Sequence, residues 1–325
     1  MRILITGATG LLGNNLARLA IAQGHQVIAV GRDRQLPASL ADLPIDYRHA
    51  DLTDTVSMRS AAEGAEGLIH SAAVIHLGWT RMEESIAFNR GSTIAAAEAA
   101  LDRGIPMTLV STVNTLAIPK PKSVADETTP WDGQVPCAYV ISKRAADQAM
   151  IDAIQRGLFG TIVHPGFMLG PWDWKPSSGR MILELSQRWT PVAPAGGCSV
   201  CDVRDVADGT LRALLQGQSG RRYILCGENM TYFQLWSAIA KAIGKPAPWT
   251  ILRKPGQWVV GKAGDLAAKI TGRETDINSA ALQMSGQYHW YSSQRAEEEL
   301  GYQHRPASVA IGEAVEWFRR QGRLS

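Results

Sequence analysis

The chain has 325 residues, 45% hydrophobic and 19% charged, with 31 Gly, 16 Pro and four Cys. That supports a sizeable core in one large or two modest domains and excludes a disordered chain or a disulfide scaffold. Lys and Arg number 33 against 30 Asp and Glu, and this near balance gives no overall footprint for nucleic acid or an anionic membrane. Met1-Arg-Ile-Leu-Ile-Thr6 predicts a strand over 2–6. Its apolar run is too short for a secretory leader, and no later stretch approaches the ~20 apolar residues of a membrane span. A cytoplasmic protein is expected. Thr6-Gly-Ala-Thr-Gly-Leu-Leu-Gly13 then places glycines at 7, 10 and 13 between the strand and a helix over 11–23. One glycine makes the tight turn, one admits a pyrophosphate against the backbone, and one lets helix and strand pack closely. The helix start offers unpaired N–H groups and positive dipole to phosphates. The loop therefore predicts a dinucleotide cradle that includes Thr9, Leu11 and Leu12.

A second strand over 26–30 ends in Gly31-Arg32-Asp33. An acidic residue at this strand end suits the ribose hydroxyls of NAD, whereas a small residue followed by Arg suits the extra phosphate of NADP. NADP(H) is therefore preferred, with NAD(H) as the alternative. Strands over 45–49, 67–70, 107–111 and 160–163 alternate with helices over 84–103 and 138–156, which predicts a parallel sheet covered on both faces. Thr112 falls just past the fifth strand, at the edge where open parallel sheets bind ligands. Tyr139-Val-Ile-Ser-Lys143 stacks a phenol and an ammonium on one helical face. A free Tyr has a pKa of about 10, and a neighbouring Lys favours its phenolate.

After Pro165 the alternation fades. Gly and Pro cluster at 165–179 and 191–197, and helices dominate from 232 onward. We expect a nucleotide-binding domain over 1–164 and a smaller, mostly helical substrate region over 165–325, with 199–226 returning to the first sheet. Cys198 and Cys201 form a C-x-x-C without a second ligand pair, so packing is expected and no metal. His70, His76 and His164 are expected along the cleft. The 257–270 segment, with Trp258, Val259 and Val260, reads as a substrate-domain helix rather than an amphipathic surface helix. Lys120-Pro-Lys122 reads as a solvated loop.

Together these residues resemble the extended short-chain dehydrogenase/reductase superfamily, a Rossmann α/β fold. The Gly7, Gly10 and Gly13 loop matches its T-G-x-x-G-x-x-G signature. The resemblance implies that Asp51 and Leu52 contact adenine, and that Ser71, Ala72 and Ala73 line the cofactor. It implies that Pro165, Phe167 and Met168 meet the nicotinamide carboxamide. Thr112, Tyr139 and Lys143 fall on the catalytic triad, with Asn89 as the helix asparagine that assists it and Lys143 also holding ribose. In relatives the helices around 94–101 and from Ser142 build a dimer, so a homodimer is expected. Val113-Asn114 replace the Asp-Glu of sugar-nucleotide dehydratases, and Phe167 replaces an Asn common in epimerases. The dihydroflavonol-reductase-like branch fits best, although Gly170-Pro-Trp-Asp-Trp-Lys-Pro-Ser-Ser-Gly179 is also similar to hopanoid-associated proteins assigned to sugar epimerisation.

The expected activity is NADPH-dependent reduction of a ketone or aldehyde. Alternatives are a nucleotide-sugar epimerase and a non-catalytic NADP(H) sensor. Ten Trp stand against five Phe, with eight of those Trp after residue 160. Val74, Thr112, Asn114, Phe167, Trp172 and Trp174 are the expected substrate wall, and its aromatic rings suit a lipophilic or ring-bearing molecule.

Overall fold

A computed structural model describes residues 1–118, 123–130, 132–271, 274–275 and 277–324; Lys120 and Lys122 lie outside them. The first half runs β1 (Arg2–Thr6), α1 (Leu11–Ala22), β2 (Gln26–Gly31), β3 (Ile45–His49), α2 (Thr55–Ala61), β4 (Gly67–His70), α3 (Met82–Arg103), β5 (Met107–Val110), α4 (Ala138–Gln155) and β6 (Gly160–Pro165). Next come β7 (Phe167–Leu169), α5 (Arg180–Gln187), β8 (Val192–Pro194), β9 (Gly197–Asp202), α6 (Val203–Gln216) and β10 (Arg222–Leu225). The chain closes with β11 (Glu228–Thr231), α7 (Tyr232–Ala242), β12 (Thr250–Leu252), α8 (Lys254–Thr271), α9 (Ser279–Ser285), β13 (Tyr288–His289), α10 (Gln294–Leu300) and α11 (Ala307–Arg320).

Seven strands form one sheet in the order β10-β6-β5-β4-β1-β2-β3, every pairing parallel. The central strands are apolar along their whole length because both faces are covered. Leu11, Leu16, Leu211 and Tyr223 fill the side under α1 and α6. Met58, the alanines of α3 and Met150 fill the side under α2, α3 and α4. Strand order reverses between β1 and β4, which opens a crevice at their carboxyl ends. The small residues Ala95, Ala96, Ala97, Ala99 and Ala100 are buried within the subunit, where α3 packs on the sheet and on α4.

The 199–226 segment divides. β10 joins the main sheet beside β6, but β9 does not, contrary to the sequence expectation. β9 is buried along its whole length in a small sheet, antiparallel to β11 and parallel to β13 and β7. Gly166 makes this possible, since a methyl there would strike the Ser199 carbonyl and lie 2.9 Å from Cys226 Sγ. The three-residue offset turns Cys198 and Cys201 to opposite faces of β9, one into the core of the C-terminal lobe and one into that of the main sheet.

Candidate active site

The glycine loop is shaped by contacts a side chain would destroy. Gly7 has φ +72°, and a Cβ on it would lie 2.7 Å from the Ala72 nitrogen. A methyl on Gly13 would overlap the Gly7 carbonyl oxygen, so α1 starts directly against the turn. Gly10 is exposed, and its only close neighbour would be that same oxygen at 3.3 Å. It precedes α1 without a side-chain cap, and the first turn of α1 carries no acidic residue. The first N–H groups of the helix thus lack a side-chain partner, a chemistry that fits a dinucleotide pyrophosphate. Thr6 Oγ1 accepts from the Ser71 and Ala72 N–H groups at 3.2 and 3.3 Å and lies 2.8 Å from His70 Nδ1. His70 Nε2 is 3.2 Å from Ser92 Oγ, and burial pulls its pKa down to about 3, so it is a neutral strut. Ser71, Ala72, Ala73 and Val74 leave β4 partly exposed, on the crevice side.

At the end of β2, Gly31 faces Tyr47, whose Oη would lie 2.6 Å from an added Cβ. Tyr47 Oη donates to the Asp33 carbonyl at 2.9 Å. The small residue therefore has a packing reason besides any room for a phosphate. Arg32 is exposed and forms no ion pair among the described residues. Asp51 Oδ1 accepts from Thr53 N–H and Oγ1 at 2.9 and 2.8 Å. Those bonds, then the nearby Arg32 charge, hold its carboxyl below the usual range. Leu52 is buried beside it.

The catalytic candidates converge. Thr112 Oγ1 accepts from the Asn114 N–H and Nδ2, both at 3.3 Å. The Tyr139 hydroxyl meets the Thr112 and Asn114 side chains. Burial raises the phenol's pKa and those hydrogen bonds oppose the rise, so the net direction is upward. The protein by itself thus keeps Tyr139 protonated. Lys143 is buried and donates to the Val110 carbonyl at the end of β5 at 2.7 Å. Burial pulls its pKa down to about 8, against the charge of Asp147 one turn further along α4. Burial is the largest of these effects, and the Lys143 proton is directed at a backbone carbonyl.

Asn89 is 2% exposed and fully engaged. Its Oδ1 accepts from Val74 N–H at 2.8 Å, and its Nδ2 donates to Val74 O at 3.0 Å and to Ser142 Oγ at 2.9 Å. It pins the segment after β4 to α4 and so acts as a positioning residue. His164 Nδ1 lies 3.1 Å from the Thr112 carbonyl and props it from below. Burial lowers the His164 pKa.

The tryptophans part company with expectation. Trp172 and Trp174 do not form the cleft wall; they interlock with Trp317 of α11, with centroids 6.5 and 5.4 Å from it. The Arg18 guanidinium of α1 sits 3.3 Å over the Trp172 ring, in cation–π contact. The cause is the loop path, because Asn15 Nδ2 holds the Pro171 carbonyl at 2.9 Å and draws the loop along α1. Pro165 ends β6. Phe167 then packs toward the core of the C-terminal lobe and Met168 toward that of the main sheet. Exposed apolar side chains stand on the 74–79 segment, where Ile75, Leu77 and Trp79 are 61%, 38% and 38% exposed. The Gly78 carbonyl accepts from Ala138 N–H at 2.9 Å, immediately before Tyr139. The signal for this segment was the apolar run Val74-Ile-His-Leu-Gly-Trp79 straight after a strand at the switch point. Glu274 anchors it: its carboxylate accepts from the Trp79 and Thr80 N–H groups at 2.9 and 3.0 Å and lies 2.9 Å from His76 Nε2. No sequence motif marks a contact across so long a separation.

The NAD dependent epimerase/dehydratase family matches residues 3–226. A putative dihydroflavonol 4-reductase of Synechocystis sp. is 33% identical, over 98% of this chain and 94% of its own. Sterol demethylase protein B of Methylococcus capsulatus is 30% identical over the full length of both chains. The crystal structure of gox2253 superposes with a TM-score of 0.88 at 32% identity, covering 99% of each chain. Among the described residues no helix is long and apolar enough to cross a membrane. The parallel sheet, the glycine cradle and these likenesses agree: the chain belongs to the NAD-dependent epimerase/dehydratase family and is an NAD(P)-dependent oxidoreductase of the extended short-chain dehydrogenase/reductase type.

Proposed function

We propose that the protein uses NADPH to reduce a ketone or aldehyde on a lipophilic, ring-bearing small molecule. The observation that carries this reading is geometric: Tyr139 stands beside Thr112 and Asn114 at the start of α4, and the segment bonded to that start exposes Ile75, Leu77 and Trp79. The backbone of Gly7, Gly10, Leu11 and Leu12 would hold the pyrophosphate, Asp51 and Leu52 the adenine side, and Arg32 the ribose phosphate. Ser71, Ala72 and Ala73 would flank the dinucleotide, and Pro165, Phe167 and Met168 the carboxamide end. The cofactor supplies hydride when bound.

The rest falls to the chain's own groups. Thr112 Oγ1 and Asn114 Nδ2 orient the carbonyl oxygen toward Tyr139, and Tyr139 Oη delivers the proton to that oxygen. Lys143, fixed on the Val110 carbonyl, places a positive charge on the same helical face and favours the phenolate left behind. The apolar 74–79 segment excludes water from the carbonyl. The names of the Synechocystis and Methylococcus relatives, with dihydroflavonol and sterol in them, favour a ring-bearing substrate. A homodimer through the solvent side of α3 and α4 completes the reading, and light scattering of the purified chain checks it.

Purified protein should consume NADPH with some member of a panel of lipophilic ketones and aldehydes. Tyr139→Phe should lower turnover about a thousandfold with NADPH binding intact. Turnover preserved in that variant would overturn the mechanism. Conversion of a sugar-nucleotide without net NADPH consumption would favour the epimerase.

A further inference from the structure

We propose that the outward face of α8, with the tryptophans that precede it, docks the protein onto an anionic phospholipid surface. The docking itself rests on no step of the reductase reading; only its relation to the cleft does. α8 is amphipathic in an unusual sense, because its packed side is made of small and polar residues. Gly261 lies against Ser279, where an added Cβ would be 2.8 Å from Cα, and Gln257 is buried. The opposite side carries Val259, Leu266 and Ile270, which are 59%, 59% and 78% exposed. At 100° per residue these three fall within a narrow stripe, centred away from the protein. Trp258, on the same side of the helix as Lys262 and Lys269, is 64% exposed, and Trp249, just before β12, is 76% exposed and meets Trp189 edge to face at 4.5 Å. Aliphatic side chains so exposed on one stripe have little packing role among the described residues.

Charge says what covers them. Residues 241–271 hold six basic side chains and one acidic one, while the whole chain is only +3, so everything outside this segment sums to −2. The single acid, Asp265, is turned inward, where it accepts from Ser279 N–H at 2.9 Å and pairs with Lys262 at 3.5 Å. Lys262 and Lys269 lie side by side along one edge of the apolar stripe. Protein interfaces are depleted of Lys at their centres, whereas apolar stripes edged with Lys and Trp are what lipid headgroups and the acyl boundary attract. A second copy of the chain would bring like charges together. A bilayer carrying anionic headgroups would not.

The surface is also mechanically joined to the cleft. Just beyond α8, Glu274 holds the Trp79 and Thr80 N–H groups and Asn278 Nδ2 holds the Leu77 carbonyl at 2.8 Å. Trp79 Nε1 donates to Ser279 Oγ at 2.8 Å. The docked helix therefore sits one packed layer from the apolar 74–79 segment that meets the start of α4, on the side from which a membrane-dissolved substrate would arrive.

The test is co-sedimentation of the full chain with vesicles of phosphatidylcholine alone, or with about one third phosphatidylglycerol, at low and high salt. The expected result is binding to the anionic vesicles, weakened by salt, with a blue shift of tryptophan emission. Leu266→Asp with Ile270→Asp should reduce binding tenfold or more. Lys262→Glu with Lys269→Glu should abolish the preference for phosphatidylglycerol. Both variants should keep the wild-type circular dichroism and NADPH affinity; should the aspartate pair misfold, Leu266→Gln gives the same readout on a milder change. A wild-type chain that stays in the supernatant with every vesicle overturns the proposal. So does a dimer, seen without lipid, that the Leu266 variants dissolve. NADPH oxidation, measured separately, decides the reductase reading whichever way the vesicles answer.

Discussion

The carboxyl edge of the main sheet and the C-terminal lobe use the same kinds of residue for opposite ends. At the sheet edge, glycines remove side chains so that backbone groups reach a ligand: Gly7 approaches Ala72, and Gly13 lets α1 begin against the turn. In the lobe, Gly261 and Gly264 remove side chains so that α8 lies close on the start of α9 and the two residues before it. Aromatic residues divide in the same way. Trp79 stands partly exposed on the segment that meets the start of α4, while Trp172, Trp174 and Trp317 close on one another. Residue type signals function only where the backbone brings it to the crevice.

The sharpest way to break this contrast is to cut into the aromatic cluster. Trp174→Ala should destabilise the fold by about 3 kcal/mol, through lost packing, with KM for the carbonyl substrate nearly unchanged. A large rise in KM without a fall in Tm would return Trp174 to the substrate wall. Asn89→Ala is next. It strands the half-buried N–H and carbonyl of Val74 at a cost of about 1 kcal/mol. Because the exposed apolar side chains stand on that segment, kcat/KM should fall along with thermal stability, and stability alone would move if Asn89 were only a core residue. Arg32→Ala should weaken NADPH about tenfold and leave NADH unaltered, as measured by titration of each. Equal losses for both would mean that Gly31 serves Tyr47 alone.

The smallest effect is in pH. The depressed pKa of Lys143, about 8, places loss of its charge just above neutrality. Deprotonation removes the cation that favours the phenolate, so kcat/KM for reduction should decline as pH rises through about 8. Lys143→Arg, with a guanidinium that stays charged, should push that limb to higher pH. An unchanged limb would assign it to another group.

Much of the nucleotide half was legible. Strands over 45–49 and 67–70 are found at those limits, and the helix over 11–23 is one residue shorter. Gly7, Gly10, Gly13, Thr112, Tyr139 and Lys143 could be read from spacing because each lies within a few residues of a strand or helix end, where local geometry fixes its direction. Trp172 and Trp174 could not. They follow the sixth strand closely in sequence, yet Asn15 and Arg18 of α1 capture their loop. The overall charge balance likewise hid a strongly basic 241–271 segment, because the excess elsewhere has the opposite sign.

The sequence by itself determined the parallel sheet, the glycine turn and the placement of Tyr139 and Lys143 on one face of a helix, since strand, turn and first helical turn are short-range structures set by steric rules. Only the tertiary structure decided that β9 leaves the main sheet, that Asn89 holds Val74, that Glu274 holds the Trp79 end of the 74–79 segment, and that Val259, Leu266 and Ile270 face outward. Each depends on which distant surfaces meet, and that choice belongs to the packing of the whole core rather than to any stretch of it.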